Sequence, residues 1–112
     1  MEKIPFVPQR WQVAAEDGGW KVAYLGYCDR FSKFTELERH LETDEVFVLL
    51  RGSASLYIEE DKHDMEPGVV YNVPKGQWHH IVVSEDAAVL VVESSNTSAQ
   101  NTEKRSVSHA NF

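Results

Sequence analysis

The chain has 112 residues and a formal net charge of −7. This charge argues against nucleic acids and anionic membranes as partners, since both require clustered Lys and Arg. The length suits a single domain with one core, and no apolar run approaches the length of a membrane span. The single cysteine, Cys28, excludes an internal disulfide framework. Together with the lack of a signal peptide in residues 1–10, it predicts a cytoplasmic protein.

Short runs of β-branched and aromatic residues, separated by turn signals, recur along the chain and predict strands. The first twenty residues lack clear periodicity. Residues 31–41 fit either a helical stripe or a strand, and we prefer the strand. Residues 60–64 are predicted to form a polar turn. The predicted strands cover residues 20–28, 45–50, 54–59, 69–73, 78–83 and 87–93. Strands at this spacing, with little helix, are typical of an all-β sandwich or barrel.

The composition changes abruptly after Glu93. Residues 94–112 are rich in Ser, Thr and Asn and hold only Val107 and Phe112 as sizeable apolar residues. Such a segment cannot bury enough apolar surface to offset its ordering entropy alone. It is predicted to be a polar C-terminal tail, either disordered or draped on the barrel or on a partner subunit.

Two groups of residues place candidate metal ligands beside turn-forming glycine or proline. The first group is His40, Glu45 and Gly52, and the second is Gly68, Pro74, Gly76 and His79. Their intervals resemble the two signature motifs of the cupin family. The resemblance implies a double-stranded β-helix, which is a jelly-roll barrel. It implies one barrel domain over residues 1–93, with the motif core at residues 38–83.

Three positions depart from the family's pattern. Glu38 stands where the first histidine of the family is expected, Val83 where the terminal asparagine is expected, and Ser32 where the first glycine is expected. Family members with the full pattern hold a divalent ion with three histidines and one glutamate. The resemblance therefore implies a metal set of His40, Glu45 and His79, with Glu38 in the fourth position.

Two imidazoles and one or two carboxylates suit Fe, Mn, Zn or Ni as divalent ions. On an extended strand Glu38 and His40 point to the same face, so both can reach the barrel interior. The alternative is that Glu38 makes a hydrogen bond or an ion pair and that no metal is bound.

The candidate ligand pocket is predicted from the same strand faces. Glu45, Phe47 and Leu49 alternate on one face of a strand, so Phe47 and Leu49 should line the cavity that holds Glu45. The further candidate pocket residues are the aromatic side chains of Tyr24, Tyr71 and Trp78.

Three other histidines receive no ligand role. His80 follows His79 on a strand, so it is predicted to face the opposite side and to lie outward or at an interface. His63 in a turn and His109 in the tail are assigned no function.

The resemblance predicts a small stand-alone cupin that binds a divalent metal and a small polar ligand in its barrel. If it is an enzyme, metal-dependent isomerisation or dioxygenation is the reaction class to test, with Glu38 or Glu45 in proton transfer. The alternatives are a metal-free module that binds or senses a small molecule and, third, a purely structural dimer. The chain is also predicted to form a homodimer, since Val46, Val48 and Leu50 make the outer strand face apolar.

Overall fold

The computed structural model describes residues 1–107, which form two five-stranded antiparallel sheets. One sheet has the strand order β1-β2-β9-β4-β7 and the other β10-β3-β8-β5-β6. The strands are β1 Trp11–Asp17, β2 Trp20–Gly26, β3 Glu36–His40, β4 Glu45–Arg51, β5 Ala54–Ile58, β6 Asp61–Asp64, β7 Val70–Val73, β8 His79–Val83, β9 Ala88–Ser94 and β10 Thr102–Ser106. Short 3-10 helices occupy Asp29–Phe31 and Ala99–Asn101. Within residues 1–107, no helix is long and apolar enough to cross a membrane.

Alternation along the strands builds the core between the two sheets. On β4, Glu45, Phe47 and Leu49 are buried, and the residues between them are half-buried or exposed. On the neighbouring strand β9, Val91 pairs with Phe47 and Val89 with Leu49, and both valines are completely buried. Because the central strands each have one apolar inner face, the two sheets close on each other, and the predicted all-β barrel is confirmed.

Glycines allow the two tight turns that the motif spacing predicted. Gly52 has φ of +74° between β4 and β5, and a Cβ there would lie 2.6 Å from the Cα of Ala87. Gly76 has φ of +82°, and the N–H of Gln77 donates to the carbonyl of Pro74 across that turn. Since L side chains rarely adopt such positive φ values, glycine is the residue that fits both positions.

The structure differs from the sequence analysis at two places and confirms the strand preferred within residues 31–41. The predicted polar turn at residues 60–64 contains β6, which pairs with β5 although all four of its residues are exposed. The first twenty residues contain β1, whose polar and alanine-rich sequence hides its pairing with β2. Residues 31–41, ambiguous in sequence, hold the end of a 3-10 helix and then β3.

The predicted tail is part of the barrel for most of its length. β10 pairs antiparallel with β3 from Thr102 opposite His40 to Ser106 opposite Glu36. The predicted domain end at Glu93 falls inside β9, so the sheets continue beyond it. Exposed ion pairs, such as Arg39 with Glu103, give β10 a polar sequence that carries no burial signal. Residues 108–112 of the predicted tail, with His109, lie outside the described residues.

Candidate metal centre

The candidate ligands lie at the ends of three strands that meet inside the barrel. His40 is the last residue of β3, Glu45 the first of β4 and His79 the first of β8. Glu38 of β3 is paired directly with His79 of β8. The N–H of Gly76 donates to the carbonyl of His40 over 2.8 Å. The turn of the second motif is therefore fastened to the strand that carries the first.

The structure brings together the four residues that the sequence assigned to a metal. One ligand atom from each of Glu38, His40, Glu45 and His79 lies within 4.8 Å of the others. Oε1 of Glu45 is 3.0 Å from Nε2 of His40 and 2.9 Å from Nε2 of His79. His40, Glu45 and His79 are buried, whereas Glu38 is half-buried.

The outer nitrogens of both imidazoles are held by neighbouring oxygen atoms. Nδ1 of His79 donates to the carbonyl of Gln77, 2.9 Å away, because a carbonyl oxygen can only accept. Nδ1 of His40 lies 2.8 Å from Oγ1 of Thr102. In the neutral imidazole of His79, the lone pair of Nε2 then faces Glu45. A proton or a metal ion is needed between these two acceptors, and such Nδ1 anchoring is usual for metal-bound histidines. The donor set therefore fits a divalent cation.

A second buried carboxyl lies behind the cluster. Glu93 of β9 faces Glu45, and its Oε1 lies 3.6 Å from Nζ of Lys21. Burial, followed by the hydrogen bond to Glu45, raises the pKa of Glu93 to about 8. Burial acts in the same direction on Glu45, but hydrogen bonds from His40 and His79 outweigh it and hold the Glu45 pKa well below its ordinary value. At neutral pH, Glu45 is the ionised member of the pair and Glu93 the protonated one.

The charge of Glu45 also acts on His40. Burial alone would lower the pKa of His40, yet the hydrogen bond and the negative charge of Glu45 exceed it and leave the pKa raised. His40 therefore holds a proton to a higher pH than a free histidine, which places acid–base capacity inside the cavity.

The cluster opens into a cavity of about 350 Å³, which is at the lower end of the range for small-ligand pockets. Besides the four candidate ligands, it is lined by Trp11, Lys21, Leu25, Arg30, Phe31, Phe47, His80, Ile81, Glu93, Thr97, Ser98, Ala99, Thr102 and Lys104. The hydroxyl of Thr97 is buried and has no hydrogen-bond partner within residues 1–107. A polar ligand is the natural partner for such a group.

Of the five predicted pocket residues, only Phe47 lines this cavity. Leu49 shares its strand face but lies deeper in the apolar core, with 1% of its surface exposed. The hydroxyl of Tyr24 donates to the carbonyl of Ile4 on the outer side of the sheet. The hydroxyl of Tyr71 accepts from the N–H of Glu66.

Trp78 and His80 also differ from expectation. Trp78 packs its ring against the guanidinium groups of Arg39 and Arg105, each 4.6 Å from the ring centre, away from the cavity. His80 is buried instead of facing outward. Its Nε2 donates to the carbonyl of Lys33, and its ring stacks on Phe34 at 5.9 Å. The segment before β3 covers that face of β8, and burial lowers the pKa of His80.

Sequence reasoning missed Glu93, Lys21 and Thr102. A signal for Glu93 exists, because it continues the inward alternation of Val89 and Val91 on β9. A carboxylate on an apolar inner face needs a partner, so it marks a polar site. Thr102 has no such signal, because its role depends on β10 pairing with β3.

The family model for the cupin domain matches residues 33–94. This is more than half of the chain, and the chain belongs to the cupin family. No curated protein matches the sequence.

Solved structures show the same fold at low sequence identity. A cupin-2 domain containing protein from Shewanella frigidimarina is 21% identical, with a TM-score of 0.62, over 80% of this chain and 83% of that one. A variant of Streptomyces PAC13 with uridine is 12% identical, with a TM-score of 0.72, over 99% and 97%. A PAC13 structure is described as that of a nucleoside dehydratase. KdgF from Halomonas is 16% identical, with a TM-score of 0.62, over 82% and 91%.

Proposed function

We propose that this cupin binds a divalent metal through His40, Glu45 and His79, with Glu38 as fourth ligand, and takes a small polar ligand in the adjoining cavity. The observation that carries the proposal is the arrangement of His79, whose Nδ1 is committed to a carbonyl while Nε2 faces Glu45. The metal would act as a Lewis acid toward a ligand carbonyl or hydroxyl. The buried hydroxyl of Thr97, which has no hydrogen-bond partner within residues 1–107, favours a ligand that can form hydrogen bonds.

The protein's own residues supply the remaining functions of the site. Phe47, Phe31 and Ile81 form an apolar wall, which limits water beside the reacting end of the ligand. Glu93 keeps a proton in contact with Glu45, and the raised pKa of His40 gives the cavity a second group that can hold and release a proton. These groups suit proton transfer at a carbon or oxygen next to a carbonyl, whether the outcome is isomerisation or elimination.

A metal-free binding or acid–base module is the second candidate. The observation that favours it is that Oε1 of Glu45 lies within hydrogen-bond distance of Nε2 of both His40 and His79. With one added proton, both imidazoles can donate to Glu45, and no metal is needed. The likeness in fold to a nucleoside dehydratase, which one solved structure holds with uridine, makes elimination from a sugar-like ligand a reaction to test under this reading.

Zinc binding separates the two candidates. Untagged protein should take up one zinc ion per chain, measured by elemental analysis after desalting, and His79→Ala should lose it almost completely. Glu38→Gln should retain a weaker site, since three ligands remain. His63→Ala is the matched control, because His63 is exposed on β6. Full zinc content in His79→Ala, or loss of zinc in the His63 control, contradicts the metal proposal.

We also propose that the chain forms a homodimer through the outer face of the β1-β2-β9-β4-β7 sheet. Val46 and Val48 are half-buried there, while Leu50 and Val70 are 47% and 65% exposed. Contiguous exposed apolar surface of this kind marks interaction sites. Light scattering should return twice the chain mass of 12.8 kDa. Val70→Glu should shift the protein toward monomer. A monomeric wild type at micromolar concentration contradicts the proposal.

A further inference from the structure

Two cationic side chains stand on either side of Glu38 at the cavity mouth. Arg30 comes from the 3-10 helix before β3, and its Nη2 donates to both carboxylate oxygens of Glu38 over 3.2 Å. Lys104 of β10 is paired across the strands with Glu38 and lines the same cavity. The side chains of Arg30 and Lys104 are 48% and 56% exposed, so both reach the point where the cavity meets water.

Both cations retain hydrogen-bond donors for a further partner. A guanidinium has five N–H donors, and within residues 1–107 Arg30 uses only Nη2 in side-chain hydrogen bonds. The ammonium of Lys104 lies 3.8 Å from the nearest carboxylate oxygen, on Glu36, which is beyond hydrogen-bond range. Lys21, the third cation of the cavity, is already engaged by Glu93 and by the carbonyl of Thr97.

The charge balance of the cavity favours an anion once a divalent ion is present. The lining includes three cations, Lys21, Arg30 and Lys104, and three carboxyl groups, on Glu38, Glu45 and Glu93. With all three carboxyl groups ionised these charges cancel, so a divalent ion leaves at least two excess positive charges. The chain as a whole is strongly negative, and therefore the attraction for an anion arises only inside the mouth.

We propose that Arg30 and Lys104 form an anion-binding subsite, which receives the carboxylate or phosphate of a small hydroxylated ligand whose other end faces the His40–Glu45–His79 cluster. The inference rests on the metal site proposed above. The buried hydroxyl of Thr97 is available to a hydroxyl of the same ligand. Both Arg30 and Lys104 lie outside residues 33–94, the part of the chain that matches the family model. The two cations therefore lie outside the segment that the family model describes.

Three matched hexoses test the subsite by isothermal titration calorimetry on zinc-loaded protein. Glucose, glucuronate and glucose 6-phosphate differ only at C6, as a hydroxyl, a carboxylate or a phosphate. At least one anion should bind about tenfold more tightly than glucose, the size expected for partly exposed charge-assisted hydrogen bonds. The tighter of the two identifies the anion. Equal affinity for all three, or no detectable binding of either anion at millimolar concentration, overturns the proposal.

Two variants and two matched controls test whether the preference for an anion depends on Arg30 and Lys104. Arg30→Gln and Lys104→Gln should each weaken anion binding about three- to tenfold and leave glucose binding unchanged. Arg105→Gln and Lys62→Gln are the controls, since these side chains are 46% and 58% exposed and neither lines the cavity. Equal losses in the controls overturn the proposal.

Zinc content, measured on every sample, separates this inference from the metal proposal. Protein that holds no zinc but prefers an anion, with the loss confined to the mouth variants, contradicts the metal proposal and supports the subsite. Full zinc with no preference for an anion overturns the subsite alone.

Discussion

Replacing Glu93 by glutamine should stabilise the metal-free protein at neutral and alkaline pH. Glu93 has its pKa raised from 4.5 to about 8, so the folded state holds a proton that the unfolded state has released. Between pH 4.5 and 8 the folded state binds more protons, and the free energy of unfolding therefore falls as pH rises through this window. Each pH unit in this window lowers the free energy of unfolding by about 1.4 kcal/mol. At pH 7 the wild type has therefore lost at most about 3 kcal/mol, which is the upper limit of the gain in the variant.

The expected gain is smaller than this limit. The glutamine amide of the variant can still donate to Glu45 and accept from Lys21, so it reproduces the contacts of the neutral Glu93 side chain. Residual structure in the unfolded chain narrows the difference between the two pKa values of Glu93, so we expect Glu93→Gln to gain about 2 kcal/mol at pH 7. Below about pH 4.5, where Glu93 is protonated in both states, the variant and the wild type should differ little.

Urea unfolding of chelator-treated protein, measured at several pH values, tests this expectation. The difference between Glu93→Gln and wild type should grow from near zero at pH 4.5 to its full value above pH 8, where Glu93 loses its proton. Glu85→Gln is the control, because Glu85 is exposed in the turn before β9. A destabilised variant at pH 8, or a difference that does not change with pH, would refute the assignment of a buried proton to Glu93.

Three other outcomes follow from the same contacts. Thr102→Val should weaken zinc binding about tenfold, as loss of a partner to a metal-bound histidine does; Thr102→Ser should restore it, and unchanged affinity in Thr102→Val contradicts the anchoring of His40. Zinc affinity should fall as pH decreases through a midpoint above 6.5, because the pKa of His40 is raised and the proton competes with the ion; a pH-independent dissociation constant argues against this site. Gly52→Ala should cost at least about 2 kcal/mol in urea unfolding, since its Cβ would meet the Ala87 backbone at 2.6 Å, whereas Gly18→Ala, with nothing within 4 Å, should cost less.

The sequence indicated the His/Glu cluster because its motif intervals resemble those of the cupin family, and the two glycine turns and strand alternation account for where its residues lie. The turns at Gly52 and Gly76 require positive φ, and these turns set the strands that carry Glu45 and His79. Alternation then places Glu38 and His40 on one inner face. Together with the resemblance to the family, alternation and the two glycine turns therefore sufficed to group these four residues.

The rest of the site depends on long-range pairing, which local patterns do not encode. Thr102 reaches His40 only because β10 adds to the open edge of β3, and the polar sequence of β10 carries no strand signal. His80 is buried because residues 29–34 fold over β8, which alternation on β8 alone cannot indicate. Trp78 lies outside the cavity because two arginines from β3 and β10 cover its ring.

The glutamate at position 38 and the cations around it form one electrostatic unit. A histidine in that position would be a neutral ligand, whereas Glu38 adds a negative charge beside Glu45 in a half-buried place. Such a carboxylate is stable only if it is compensated, and Arg30 supplies the compensation through two hydrogen bonds. Metal ligation by Glu38 would share its charge with the ion and release donors of Arg30 toward the mouth. The departure from the family's histidine pattern would therefore couple the proposed metal site to the proposed anion subsite. Arg30→Gln should in consequence lower zinc affinity slightly and anion affinity more.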